Sequence, residues 1–245
     1  MNKVQILMPM GGLGSRFAKE GYTTAKPLIS VDEKPMFMKA LDSFKTNPGF
    51  DFEYLFVIRK DQNEKYDLAH QIKQSIPSAK ISILEKDTQG AVETCLLAED
   101  YIDDTLPIII ADCDIYFESK EYFSKINTSI QDHSPDALLL TFQSSDTRYS
   151  YVKLGTDNQV VATAEKIVIS DNAILGGYYF RSGKLFKDLA HEFADKPLPT
   201  NIKEYYLSHL FNLLIERSGK IEIAKIDQKH IFGTPEELNL YLSKS

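Results

Sequence analysis

Continuous apolar runs of strand length recur through the first half of the chain: VQILMPM at 4–10, YLFVI at 54–58, KISIL at 80–84 and LPIIIADCD at 106–114. A run that is apolar at both odd and even positions suits a strand buried on both faces, as in a parallel sheet covered by helices. Between the runs, apolar residues return every three or four positions, in MFMKALDSFK (36–45), EKYDLAHQIKQS (64–75) and AVETCLLAEDYI (91–102). That spacing predicts amphipathic helices. Strand and helix therefore alternate, the pattern of right-handed βαβ units in an open α/β sheet.

The second half has a different rhythm. DALLLTFQ (136–143), YSYVKLG (149–155), QVVATAEK (159–166) and NAILGGYYFRSG (172–183) predict short antiparallel or mixed strands with turns between them. NIKEYYLSHLFNLLIERSG (201–219) reads as one long amphipathic helix begun by Glu204, Tyr205 and Tyr206, and IEIAKID (221–227) as a strand. TPEELNLYLSK (234–244) predicts a closing helix capped by Thr234, ahead of Pro235 and Glu237. No repeat or flexible linker divides the parts, so the late strands are expected to extend the same sheet in a single domain, residues 1–245.

The first run leads at once into GGLGSRF (11–17), and KPL follows at 26–28. A loop leaving the first strand of such a sheet lies at the strand's carboxyl end, where ligands usually bind. Gly11, Gly12 and Gly14 would let backbone N–H groups line an anion, and Arg16 adds a forked cation matched to phosphate oxygens. The alternative for the glycines alone is a tight turn without a ligand. A Walker loop is excluded, because Gly14 is followed by Ser15 and Arg16. The dinucleotide fingerprint is excluded as well, because Phe17 stands where it needs a third glycine.

Asp112 and Asp114 close the fourth apolar run, one residue apart and so on the same side of a strand. Two such carboxylates repel unless a cation lies near them, and magnesium suits a site of one or two carboxylates plus substrate phosphates. The alternative is a cap or turn former after the strand. His133, His191 and His209 read as surface or helix residues. Gly176 and Gly177 offer close backbone approach to a flat or hydroxylated ligand, and Tyr149 and Tyr151 either border a pocket or simply alternate along a strand.

Charge narrows the partners. A net charge of -7 over 245 residues argues against nucleic acid and against an anionic membrane surface. It leaves room for a small phosphorylated ligand, which needs only a few local cations. Cys95 and Cys113 show no metal-ligand spacing and read as buried thiols in a reducing cytoplasm. The run at 4–10 is too short to span a membrane and is followed by glycines rather than a cleavage site.

GGLGSRF followed by KPLI and KPM resembles the signature of the sugar-phosphate nucleotidyltransferases. TQGAVETCLLAEDYI, PIIIADCD, YSYVKL, AEKIVISDNAILGGYYF, KEYYLSHLFNLLI and FGTPEEL fall in that family's order and spacing over nearly the whole chain. The match is best to a short subgroup without hexapeptide repeats, often encoded in bacterial capsule or surface-polysaccharide loci. The resemblance implies a Rossmann-like open mixed sheet flanked by helices, like that of glycosyltransferases of the A type. It implies a cytoplasmic enzyme that joins a nucleoside triphosphate to a phosphorylated acceptor and releases pyrophosphate, with Mg2+ as cofactor and a homodimer as a candidate assembly.

Residue by residue, the resemblance assigns residues 1–118 to the nucleotide and 119–245 to the acceptor. Met10, Gly11, Gly12, Leu13, Gly14 and Ser15 would hold the nucleotide, with Gln89 and Gly90 at the base. Arg16 would meet the β and γ phosphates, and Lys26 would sit at the α phosphate. Asp114 would bind the metal, with Asp112 beside or behind it. Lys166 would meet the acceptor phosphate, Glu165 an acceptor hydroxyl or amine, and Gly176 and Gly177 would flank the acceptor. The acceptor phosphate is already a nucleophile, so the lack of a Ser-His-Asp or Cys-His arrangement fits. One departure stands out: Ile231 occupies a position where many relatives carry a second metal-binding aspartate, and His230 before it is a poor magnesium donor. The competing readings are a metal-dependent glycosyltransferase using a nucleotide-sugar, suggested by Asp-Cys-Asp, and a nucleotide-sensing module without activity.

Overall fold

The computed structural model describes residues 1–45, 47–198 and 202–244. In chain order β1 (Asn2–Met10), α1 (Ser15–Lys19), the short hairpin of β2 (Ser30–Val31) and β3 (Lys34–Pro35), α2 (Met36–Lys45) and β4 (Phe50–Arg59) come first. They are followed by α3 (Lys60–Tyr66), α4 (Leu68–Ser75), β5 (Lys80–Leu84), α5 (Ala91–Leu96), β6 (Ile108–Ile110), β7 (Ile115–Glu118) and α6 (Lys120–Asp132). The second half carries β8 (Ala137–Gln143), β9 (Ser150–Leu154), β10 (Val160–Glu165), β11 (Asn172–Phe180), α7 (Gly183–Ala194), α8 (Ser208–Glu216), β12 (Ile221–Lys225), β13 (Gln228–Ile231) and α9 (Pro235–Leu242).

Nine strands form one mixed sheet in the order β10-β9-β11-β6-β1-β4-β5, with β8 on β11 and β12 on β8. The late strands thus extend the early sheet, as expected. β6, β1, β4 and β5 run parallel, and their side chains divide cleanly between two layers. Leu7, Leu55, Val57, Ile108 and Ile110 meet α5, α7 and α8 on one face. Ile6, Met8, Phe56, Ile58 and Ile109 meet α2, α4 and α6 on the other. Covering both faces is what keeps these runs largely apolar, and the buried exception, Gln5, exchanges hydrogen bonds with the Asp103 backbone.

Several boundaries differ from the sequence reading, each for a local reason. The helix expected over 64–75 is broken at Asp67, whose left-handed backbone (φ 51) ends α3 and starts α4. The helix expected over 91–102 ends at Leu96, and a 3-10 turn at Glu99–Tyr101 follows it. Helices α6 and α7, with caps from Ser119 and Ser182, were not read from the pattern. Thr234 caps α9 as expected, its side chain accepting from the Glu237 N–H.

The long helix expected over 201–219 begins only at Ser208; Asn201 lies outside the described residues. Residues 202–207 instead cross the start of α5. The Tyr205 N–H donates to the Gln89 carbonyl at 2.9 Å, and the Val92 N–H donates to the Tyr205 carbonyl at 3.0 Å. Gly90 takes a φ of 153 under this crossing, and a Cβ there would lie 2.5 Å from the Tyr205 nitrogen. Backbone strain and overpacking each cost roughly 1–3 kcal/mol, so Gly90→Ala is expected to lower Tm by about 5–12 °C. An unchanged Tm in thermal unfolding would mean that residues 202–207 do not cross Gly90.

Candidate active site

The glycine loop leaves β1 between β4 and β6, at the carboxyl ends of all three strands. Its carbonyls are tied back. The Arg59 guanidinium donates to the Gly11 carbonyl at 3.3 Å, and the Gln62 amide donates to the Gly12 carbonyl at 3.2 Å. In a trans peptide the N–H points opposite to the preceding C=O, so the N–H groups of Gly12 and Leu13 face away from those donors. Neither has a protein acceptor among the described residues. A Cβ on Gly12 would meet nothing within 4 Å, whereas one on Gly11 would press Leu84 and Thr94 at 3.1 Å. Gly12 therefore needs no glycine for protein packing, and its open side is space for a ligand. Gly14 is left-handed (φ 65) and packs on the Lys26 side chain, which joins the loop to the KPL turn.

Lys26 forms an ion pair with Asp114 in which the two side chains are only 20% and 17% exposed. Burial pulls the Lys26 ammonium down, but Asp114, with help from Cys113 and Asp112, outweighs it and holds the pKa above its ordinary value. The two aspartates do not sit on a strand as expected. β6 ends at Ile110, and residues 112–114 form the turn into β7. That turn still brings both carboxylates to one recess of about 160 Å³ that Met10, Gly12 and Lys26 also line. Asp112 is raised well above the carboxylate range by burial first, then by Asp114 and Glu165, with Lys26 pulling the other way.

Asp112 is placed by β11. That strand bends at Gly176–Gly177, where its edge passes from β9 to β6. The Asp112 carboxylate fills the space a Cβ on Gly176 would need. Gly177 faces inward, toward Leu140 and Phe117.

A second recess of about 450 Å³ opens beside the first, walled by Gly11, Gly12, Leu13, Arg59, Thr88, Gly90, Thr94, Asp112 and Glu204. Its size falls in the range of small-ligand pockets. Gln89 is exposed and outside that wall, its N–H bound to the Glu93 carboxylate. Ser15 and Arg16 are exposed at the start of α1, and no ion pair or side-chain hydrogen bond engages Arg16 among the described residues.

Glu165 accepts from Ser150 and from Ser208, the latter at 2.9 Å. Lys166, with a φ of 57, rests its ammonium 4.5 Å from the Tyr206 ring and 3.7 Å from the Glu165 carboxylate. Burial alone would lower Lys166, but Tyr206 and Glu165 leave it raised. Tyr151 is buried, whereas the Tyr149 carbonyl accepts from the Lys166 N–H at 3.1 Å. Cys95 is buried and Cys113 half-buried, both as free thiols. His133 caps α6, His191 pairs with Glu99 on the surface, and His209 stacks on Phe193 within α8.

The sequence does not single out Arg59 or Gln62, and it places Glu204 only at the start of a helix. A signal existed only for Arg59, which ends the parallel strand beside β1.

Among the described residues no group of three or more His, Cys, Asp or Glu side chains is placed to hold a metal. Asp112 and Asp114 provide an all-oxygen donor pair, which fits magnesium completed by phosphate and water oxygens. Ile231 lies opposite Ile115 in the β7–β13 pair and supplies no donor.

The Lys26–Asp114 pair should be energetically real. A double-mutant cycle of Lys26→Ala and Asp114→Ala, followed by urea unfolding, is expected to give a coupling of roughly 1–3 kcal/mol. Additive effects would mean that the two side chains do not act on each other.

The family model described as nucleotidyl transferase matches residues 5–213. A nucleoside-diphosphate-sugar pyrophosphorylase from Vibrio cholerae RC9 superposes with a TM-score of 0.83 at 24% identity, over 98% of this chain and 99% of that one. The inositol-1-phosphate CTP transferase from T. maritima gives 0.74 at 14%, over 97% and 93%. A UDP-glucose pyrophosphorylase complexed with UDP-glucose gives 0.76 at 17%, over the full length of both chains. No curated protein matches.

Proposed function

The chain belongs to the nucleotidyl transferase family, and on that footing we propose that it couples a nucleoside triphosphate to a small phosphorylated acceptor and releases pyrophosphate. One observation carries this reading: the acceptor-free N–H groups of Gly12 and Leu13 lie beside a recess that Lys26, Asp112 and Asp114 share. A glycosyltransferase would have no pyrophosphate to expel and no use for that loop. The names of the structural relatives support a sugar phosphate or polyol phosphate as the acceptor.

In the proposed reaction an oxygen of the acceptor phosphate attacks the α phosphorus. The new P–O bond forms as the bond to the departing β phosphate breaks, and pyrophosphate takes that electron pair. No proton has to move, so the protein's work is alignment and charge neutralisation. Backbone N–H groups at Gly12 and Leu13 hold the phosphates, with Met10, Gly11, Gly14 and Ser15 shaping the loop and Thr88, Gln89 and Gly90 bounding the base. Arg16 takes the β and γ phosphates. Lys26 neutralises charge that builds at the α phosphate, and Asp114 keeps its ammonium protonated and aimed. Lys166 holds the acceptor phosphate, Glu165 an acceptor hydroxyl or amine, and Gly176 admits Asp112 to the site. A magnesium ion held by Asp114, with Asp112 behind it, would draw negative charge from the phosphate oxygens.

In this reading residues 1–118 carry the nucleotide and 119–245 the acceptor within one domain. The enzyme works in the cytoplasm and makes a nucleotide-activated precursor for surface polysaccharide. No described helix is long and apolar enough to cross a membrane.

Pyrophosphate release measured across four triphosphates and a panel of phosphorylated acceptors tests the proposal. Lys26→Ala should lower kcat by roughly a hundredfold, about 3 kcal/mol, with little change in triphosphate affinity. Arg16→Ala should raise KM for the triphosphate, and Lys166→Ala should raise KM for the acceptor alone. Loss of triphosphate affinity with kcat preserved in Lys26→Ala would contradict its assignment. No pyrophosphate with any pair would sink the reaction itself.

A further inference from the structure

A cavity of about 740 Å³ lies between β13, α9 and the turn ahead of β9, outside both recesses described above. It has two anchors near the proposed chemistry. On one side is Glu237, whose carboxylate flanks Gly233 together with that of Asp114. On the other is Tyr149, whose carbonyl holds the Lys166 N–H. Both edges of the cavity thus adjoin residues that neighbour Asp114 and Lys166, the side chains placed above on the metal and on the acceptor phosphate.

The charges lining the cavity are Arg148, Lys229 and Lys244 against Glu237 alone. With Arg148 bound to carboxylates, the cavity's free positive charge is that of its lysines. Two of the cations are held at the ends of an aromatic ladder. The Lys229 ammonium lies 4.3 Å from the Phe142 ring centre, Phe142 meets Tyr149 edge-on at 5.0 Å, and the Arg148 guanidinium lies 5.6 Å from Tyr149. Arg148 is paired with Asp146 and with Glu237, at 2.9 and 3.0 Å. Lys229 has no carboxylate within ion-pair distance among the described residues.

Burial pulls Lys229 below its ordinary value, and the field of Glu237 offsets this only in part. Lysines here with a carboxylate partner, such as Lys39 and Lys184, are instead raised. His230 is also lowered, by burial first and then by Lys39, so at neutral pH it adds an uncharged polar edge. In the larger hollow beside β12, Lys125 and Lys220 are bound to Glu121 and Glu222, and Lys225 is exposed rather than half-buried against a ring.

We propose that this cavity is a subsite for a second anionic group of the acceptor, a phosphate or carboxylate distinct from the phosphate that is joined to the nucleotide. The proposal rests on the nucleotidyl-transfer reading and deepens it: the preferred acceptor is doubly anionic. Lys229 meets the second anion, and Arg148, steadied by Glu237, borders it. An anion there would replace the water that the half-buried ammonium has lost, and charge-assisted hydrogen bonds in such settings are the stronger ones.

Equilibrium binding to the full chain tests this without turnover, using glucose 1-phosphate, glucose 1,6-bisphosphate and glucuronic acid 1-phosphate in calorimetry. At least one doubly anionic compound should bind about tenfold more tightly than glucose 1-phosphate, and which one does so identifies the group as phosphate or carboxylate. Lys229→Gln should bring that ratio close to one, and Lys229→Arg should restore most of it. Equal affinity for all three compounds, no binding of the doubly anionic pair, or a ratio that survives Lys229→Gln overturns the proposal. Pyrophosphate release from a singly phosphorylated acceptor, alongside equal affinities, would leave the transfer reaction standing and remove only the second-anion subsite.

Discussion

The ion pair between Lys26 and Asp114 is the joint on which the site depends. Three stretches of chain meet there. Gly14 packs on Lys26 from the glycine loop, and Asp114 comes from the turn between β6 and β7. The Asp114 carbonyl also accepts the Phe232 N–H at 2.8 Å, which anchors the segment entering α9. A charge pair this far from water is costly to assemble and costly to break by halves. Its value lies in fixing where an ammonium stands relative to two carboxylates and to the backbone of Gly12. The same geometry explains why Asp112 is the carboxyl whose charge is opposed. It is held against Gly176 by the bend in β11, and burial and Asp114 together oppose its charge.

Much of this was legible in the sequence, because the signals were local. Strands covered on both faces are largely apolar, so β1, β4 and β6 could be read directly. The loop glycines and the KPL turn announced themselves by composition. The misses come from backbone hydrogen bonds redirected by distant chain. Residues 202–207 have a helical pattern, but the crossing of Gln89–Val92 claims the Tyr205 N–H and carbonyl. Asp67 breaks a helix that periodicity would continue, since a pattern of apolar positions does not register one left-handed residue. Asp112 and Asp114 were read as strand residues because an apolar run does not show where its hydrogen-bonded ladder stops.

The supporting residues were harder still. Gln62 and Glu204 touch the site only because α3 and the 202–207 crossing fold back onto the glycine loop and α5. Nothing in their own neighbourhoods marks them. Lys229 is similar: nothing in the sequence singles it out, and its setting shows only with Phe142 against its ammonium. The family's overall frame is therefore carried by short motifs, while the residues lining the cavity proposed above for a second anion are scattered over β13, α9 and the turn before β9.

The central claim is that the acceptor's own phosphate oxygen attacks the α phosphorus directly. An acceptor whose phosphate oxygens are all 18O tests it, with mass spectrometry of both products after a single turnover. Direct attack keeps every labelled oxygen with the acceptor, one of them now bridging the new diphosphate, and releases unlabelled pyrophosphate. Label in the pyrophosphate, or a nucleoside monophosphate among the products, would contradict transfer at the α phosphorus and with it the roles given to Lys26 and Asp114.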